Sequence, residues 1–229
     1  MKSEEFATAA RIKRITSGRM VQMLLCAAFF ILHSSFFISC SEEEAESYEF
    51  ENWKERNDAF FASLADSLEA NPTQWERILS YSLNTDREHS SDCYIYVKKL
   101  VNGEGTESPA YTDSVRAAYR GRLIPSATYP EGYVFDETAY GAFSTSTAYS
   151  LKSLVSNYVD GYSTALQHMH KGDTWRVYIP YNLGYGDKDI TGVSSLSVPA
   201  YSVIIFDVAL IDFCHAGETM PAWSSRRTD

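Results

Sequence analysis

The stretch YSVIIFDVALIDF, residues 201–213, constrains this chain more than any other. It is long and dense in β-branched residues, which pack well on a pleated surface and lose side-chain freedom in a helix. TWRVYIP (174–180) reads as a second strand. In YIYVKKLVNG (94–103), Tyr94, Tyr96 and Lys98 alternate with Ile95 and Val97 before a turn at Asn102-Gly103. DSVRAAYRGRLI (113–124) puts Val115, Ala117, Tyr119 and Gly121 on one face. Between these strands one helix is predicted over residues 162–170, with Ala165, Leu166 and Met169 on a face and Gly172 as its C-cap. One helix and several antiparallel strands predict an α+β domain in which the helix packs on one face of the sheet.

Upstream, residues 52–70 place Trp53, Phe60, Phe61, Leu64 and Leu68 on one helical face, and Asn71-Pro72 ends that helix. Residues 75–84 stay open between a short strand, with Leu79, Tyr81 and Leu83 alternating, and a helical turn built on Trp75, Ile78 and Leu79. The polar run 84–92 reads as a loop. The main domain is therefore placed over residues 93–214, with an N-terminal helical extension at 51–92 and a flexible tail at 215–229.

At the N-terminus, Arg11, Lys13, Arg14 and Arg19 precede an apolar run that ends at Ser39-Cys40, the order of an export signal. That ending resembles a bacterial lipobox, in which Cys40 becomes the lipidated first residue of the mature protein; an uncleaved membrane anchor is the alternative. Residues 1–39 then form the signal, and residues 40–50 an acidic tether that resembles those of lipoproteins at the outer membrane, on its periplasmic face or the cell surface. Loss of residues 1–39 removes Lys2, Arg11, Lys13, Arg14 and Arg19 against Glu4 and Glu5, so the net charge moves from −10 to −13. Such a surface repels phosphate backbones, and nucleic acid is not an expected partner. Cys93 and Cys214 remain, and an exported pair invites a disulfide.

Conventional catalytic chemistry is scarce. His168 and His170 stand two apart on a helix and point in different directions, which suits surface residues better than a metal pair. DKDITG (187–192) imitates the start of a calcium loop, but Val198 stands where a bidentate Glu is needed. GYSTA (161–165) lacks the second Gly of a nucleophile elbow. No phosphate loop or dinucleotide fingerprint is present, and neither a metal nor a cofactor is expected. What remains is an ordered set of aromatics with one acid: Tyr119, Phe135, Asp136, Tyr149, Tyr162, Tyr185 and Phe206.

Five segments in order resemble the FKBP-type peptidyl-prolyl cis-trans isomerases: YRGRL, VFDET, the run from Tyr158 to Pro180, NLGYG, and VPAYSVIIFDVALIDF. The likeness spans residues 94–213 and implies an antiparallel sheet wrapped around one short helix, preceded here by the N-terminal helical segment. It implies that Asp136 and Tyr185 act directly on substrate and that Tyr119, Phe135, Tyr149, Tyr158, Val159, Tyr162, Val198 and Phe206 line the pocket. Leu151 is the alternative to Tyr149. By the same resemblance the Tyr185 hydroxyl and the Val198 N–H hold substrate carbonyls. Tyr162 departs from the family's usual Trp, a smaller ring with less apolar area. The connection 121–138 is longer than usual, which implies a remodelled flap before Phe135. The family topology also sets Cys93 and Cys214 near opposite ends of the sheet, against their pairing.

The resemblance implies isomerisation of X-Pro bonds in exported polypeptides by a lipid-anchored enzyme. A non-enzymatic peptide-binding or chaperone module on the same fold is the second reading, and a surface lipoprotein that binds glycan the third. For the helix of residues 53–68 two uses are open: a homodimer contact, as in some periplasmic relatives, or packing on its own domain.

Overall fold

A computed structural model describes residues 49–139, 141–145, 148–191 and 197–220. Cys40, the export segment and nearly all of the acidic tether lie outside the described residues, as does Gly192. Helix α1 runs Trp53–Ala70 and buries Trp53, Asn57, Phe61 and Leu64, the stripe expected of a one-sided helix. Seven strands follow: β1 Trp75–Leu79, β2 Tyr94–Val101, β3 Ser114–Arg122, β4 Val134–Glu137, β5 Leu151–Leu154, β6 Thr174–Ile179 and β7 Ile204–Cys214. A second helix, α2, Asp160–Leu166, lies between β5 and β6.

The strands form one antiparallel sheet in the order β1-β2-β6-β7-β3-β4, with β5 also on β3. Residues 75–79 are thus a strand, paired with β2 from Trp75↔Lys98 to Leu79↔Tyr94. The sheet starts upstream of the boundary read at Cys93, and the segment 51–92 contributes both α1 and an edge strand to the same core.

Side chains alternate across a sheet, so cross-strand partners share a face. Val177 and Phe206 pair on the face that receives α2, while Tyr178, Ile205 and Asp207 point the other way. On that second face α1 packs Phe61 against Tyr96, with ring centroids 5.3 Å apart, and Phe60 near Tyr178 at 6.1 Å. The apolar face of α1 is therefore spent on its own domain. With both faces covered, β7 is buried without interruption from Ile204 to Leu210, which is why its sequence shows no polar alternation.

Helix α2 begins at Asp160, two residues before the expected start, because Val159 is extended (φ −61, ψ 153) and acts as its N-cap. It ends at Leu166, and a turn closed by Met169 N–H to Ala165 O (3.0 Å) keeps Met169 in the core. Gly172, at φ +94, reverses the chain after it. At Gly161 any Cβ would overlap the Ile179 side chain, so glycine lets α2 lie directly on β6.

Asp207, 5% exposed, accepts from Arg176 Nε at 2.6 Å and is also bonded by Arg122 on the other flanking strand. The tail is anchored further than its composition implies. His215 Nδ1 lies 2.8 Å from Asp113 Oδ2, the Ala216 N–H donates to Asp113 Oδ1 at 3.2 Å, and Met220 is buried. Cys93 immediately precedes β2 and Cys214 closes β7; those strands run parallel with β6 between them, and both thiols are free.

Asp207→Ala removes the anion between two partly buried guanidinium groups and is expected to cost about 3–5 kcal/mol. Glu76→Ala, at the exposed pair with Lys99 (2.8 Å), should change stability by less than about 1 kcal/mol. Urea unfolding of both variants measures the contrast.

Candidate functional site

Four elements bring their aromatic residues to one end of α2. Strand β3 carries Tyr119, β4 carries Phe135 and Asp136, α2 carries Tyr162, and β7 carries Phe206. Gly121 makes the convergence possible, since a Cβ there would come within 2.5 Å of the Phe206 ring and 2.8 Å of the Phe135 ring. Phe206 then meets Tyr119 at 5.8 Å, Phe135 at 5.6 Å and Tyr162 at 5.1 Å, all edge to face, the arrangement favoured by the ring quadrupoles.

Tyr185 follows the turn 181–183 that ends β6, and Gly186 (φ +85) bends the chain away immediately after it. Its ring lies 6.0 Å from Phe135. Asp136 is the one formal charge among these residues, and it accepts a hydrogen bond from the Tyr119 hydroxyl at 2.8 Å. Tyr162, 2% exposed, forms the floor. Its ring meets that of Tyr158 at 4.6 Å and 30°, so a second tyrosine lies beside the smaller floor residue. The Tyr162 hydroxyl is buried and meets no hydrogen-bond partner among the described residues.

Burial pushes the phenols of Tyr119, Tyr158, Tyr162 and Tyr185 above their ordinary value, and the bond to Asp136 raises Tyr119 further. At neutral pH all four are uncharged. The cluster is apolar, with neutral hydroxyls and a single carboxylate. It has no nucleophile paired with a base, and no cluster of metal-binding side chains occurs among the described residues.

Two residues named from the sequence take other places. Tyr149 is 51% exposed and stacks on none of these rings, although it lies near enough to Tyr119 to contribute to raising its pKa. Val198 is fully buried, but its N–H already donates to Ile190 O at 2.9 Å in a two-residue bridge, and the Ile190 N–H donates back at 2.9 Å. That N–H is engaged and is not free to hold a substrate carbonyl. Not named from the sequence is the backbone N–H of Val159. Val159 is extended just before α2, and its N–H meets no backbone acceptor among the described residues. The available clue was its position: the first N–H groups of any helix lack intrahelical partners.

The lengthened connection between β3 and β4 is closed by Leu123 N–H to Tyr133 O at 2.9 Å and by two bonds to Tyr129 O, from Ser126 at 3.0 Å and Gly132 at 2.9 Å. It buries Leu123 and Ile124 and leaves Tyr129 exposed, and Val134 is exposed at the start of β4.

Residues 105–211 match the family model described as FKBP-type peptidyl-prolyl cis-trans isomerase. A Trypanosoma cruzi protein named macrophage infectivity potentiator is 33% identical over 121 residues, 53% of this chain and 54% of that protein. The FKBP-type 22 kDa peptidyl-prolyl cis-trans isomerase of Escherichia coli K12 is 30% identical over 124 residues, 54% of this chain and 52% of that protein. The chain thus spans about half the length of the curated relatives it matches. Among solved structures, a peptidyl-prolyl cis-trans isomerase from Pseudomonas syringae pv. tomato is similar at a TM-score of 0.50 and 22% identity, covering 72% of this chain and 96% of that one. At that identity the likeness speaks to the fold alone.

Phenols whose folded pKa lies above the unfolded 10.0 stabilise the fold fully below pH 10, and that stability is lost as the pH rises through the folded values. Stability is therefore expected to hold through neutral pH and to fall above about pH 10, read from urea midpoints taken from pH 7 to 11. Tyr162→Phe removes a buried hydroxyl that has no partner among the described residues, and is expected to raise stability by about 1 kcal/mol in the same assay.

Proposed function

We propose that the domain over residues 105–211, which matches the FKBP-type family model, is a member of that family and a working peptidyl-prolyl cis-trans isomerase. The observation that carries the reading is the meeting of Tyr119, Phe135, Tyr162 and Phe206 around a single dry site edged by Asp136 and Tyr185. Rotation of an X-Pro amide crosses a barrier of about 20 kcal/mol and takes tens to hundreds of seconds unaided. Bringing that to milliseconds needs roughly four decades or more, about 5–6 kcal/mol. No bond to carbon breaks, so no nucleophile is required.

The planar amide is stabilised by charge separation, which water supports, whereas the twisted form has lost that resonance. A site that excludes water and grips the pyrrolidine ring therefore favours the twisted form over the planar one. In this reading the ring lies on Tyr162 between Phe206, Tyr119 and Val159. The Tyr185 hydroxyl and the Val159 N–H are the donors aimed at substrate carbonyls. Asp136 acts at the edge of the site, where its bond from Tyr119 fixes its carboxylate. The phenols remain neutral across the physiological range, so the isomerisation rate has no reason to change with their titration.

The substrates of this reading are proline-containing stretches of exported polypeptides. The basic-then-apolar N-terminus and Ser39-Cys40 support a lipid-anchored protein of the bacterial envelope. The second reading, a peptide-binding or chaperone module without catalysis, draws on Tyr162 and on the exposed Tyr129 and Val134 of the flap.

A protease-coupled assay on a short X-Pro peptide separates the two. Catalysis well above the spontaneous rate is expected, and a rate equal to it from folded protein would reject the enzyme. Asp136→Ala and Tyr185→Phe should each lower kcat/KM by about tenfold, the loss of one charge-assisted or neutral hydrogen bond in an apolar site. Neutral outcomes for both would undo the assignment.

A further inference from the structure

Helix α1 lies outside the residues matched to the family, which begin at 105, yet its first turns touch the segment that leads into β7. The Trp53 indole N–H donates to Ser202 Oγ at 2.8 Å, and Ser202 Oγ donates in turn to Pro199 O at 2.6 Å. One turn along, Asn57 is fully buried and uses both ends of its amide. Its Nδ2 donates to Trp53 O at 2.7 Å, and its Oδ1 accepts the Val203 N–H at 2.8 Å. Above them the Lys54 ammonium sits 5.8 Å from the Tyr181 ring and 5.5 Å from the Tyr201 ring, which meet edge to face at 5.1 Å.

These contacts fall on the segment 199–203, which connects Val198 to the start of β7. The same segment is tied to the chain around Tyr185. Tyr201 N–H donates to Gly186 O at 3.0 Å, the residue next to Tyr185, and Ala200 N–H donates to Asp189 Oδ1 at 2.7 Å. Tyr201 has φ +62, a left-handed backbone that costs free energy for a residue with a Cβ and persists only where its surroundings enforce it. Here the enforcing groups are the α1 contacts on one side and Gly186 on the other. A strained segment held from outside will shift when its holder is removed.

We propose that Trp53 and Asn57 are positioning residues for the isomerase site: through Ser202 and Val203 they hold the segment 199–203, whose bond to Gly186 fixes the chain that carries Tyr185 to the rim. This rests on the isomerase reading above. A misplacement of the Tyr185 hydroxyl by a fraction of an ångström is enough to slow a reaction that depends on geometry alone.

The test uses the full chain with Trp53→Phe, Ser202→Ala, the double variant and Ser202→Thr, all of which keep the buried packing nearly intact. Two quantities are read: kcat/KM on an X-Pro peptide, and amide exchange at Val198, Val203 and Val208. Trp53→Phe and Ser202→Ala are each expected to lower kcat/KM about three- to tenfold. The double variant should fall no further than Ser202→Ala alone, because that substitution already removes the bond from Trp53 together with the one to Pro199, and Ser202→Thr should keep wild-type activity. Exchange should quicken at Val198 and Val203 and stay unchanged at Val208 in β7. Wild-type kcat/KM in both single variants would overturn the proposal, as would exchange that quickens equally at Val208, the mark of general destabilisation. Should the wild-type protein fail to accelerate isomerisation, the enzyme reading falls, and exchange alone then decides. Faster exchange confined to Val198 and Val203 would uphold the positioning role, and unchanged exchange would end it.

Discussion

Phe206 packs edge-on against three rings, and each comes from a different element: Tyr119 from β3, Phe135 from β4 and Tyr162 from α2. Each such pair contributes about 0.5–1.5 kcal/mol beyond the area it buries. Phe206 also faces Val177 across β6 and lies over Gly121 of β3, so the register of both central pairings fixes where the ring points. A slip of one residue in β7 would turn Phe206 toward α1 and bring Asp207 into the apolar site. The three-sided packing of this ring and the paired guanidinium groups around Asp207 specify the same register from opposite faces of one strand.

Much of this was legible in the sequence because it follows from periodicity and order. β6 and β7 announce themselves by β-branched density, α1 by its spacing, and the site by five segments in sequence. Other features depend on which groups meet across the fold, and no local pattern reports that. The N–H of Val198 was read as a free donor, but whether it is free depends on Ile190, and their bridge is a property of the loop's closure. Asn57 stands on an apolar stripe and looks like an interruption, until both ends of its amide are seen to be used. The strand at 75–79 fitted either period over so short a length, and pairing with β2 decided it. His215 and Met220 look like tail, and only Asp113 and the core make them part of the domain.

The site obtains its apolar character from residues that are not wholly apolar. Tyr119, Tyr158, Tyr162 and Tyr185 each carry a hydroxyl, and burial keeps each one protonated. Where the family usually has Trp, this chain divides the floor between two rings, Tyr162 below and Tyr158 tilted beside it. The pair restores aromatic surface that a single Tyr lacks. It also introduces a hydroxyl at the base of the site with no partner among the described residues, a chemical difference that a tryptophan floor would not have.

The order of the strands has a consequence for how the protein is made. β7 is the last of the described strands, yet it lies between β6 and β3, and Ser114 pairs with Cys214. Until that strand emerges, no strand of the β1-β2-β6 half pairs with a strand of the β3-β4-β5 half. Contacts between residues this far apart in sequence form slowly, because the entropy of loop closure is spent before any of them is rewarded. A growing chain therefore presents two incomplete half-sheets with open edges until residues 204–214 arrive, and the interval before β7 docks is when it is most exposed to aggregation.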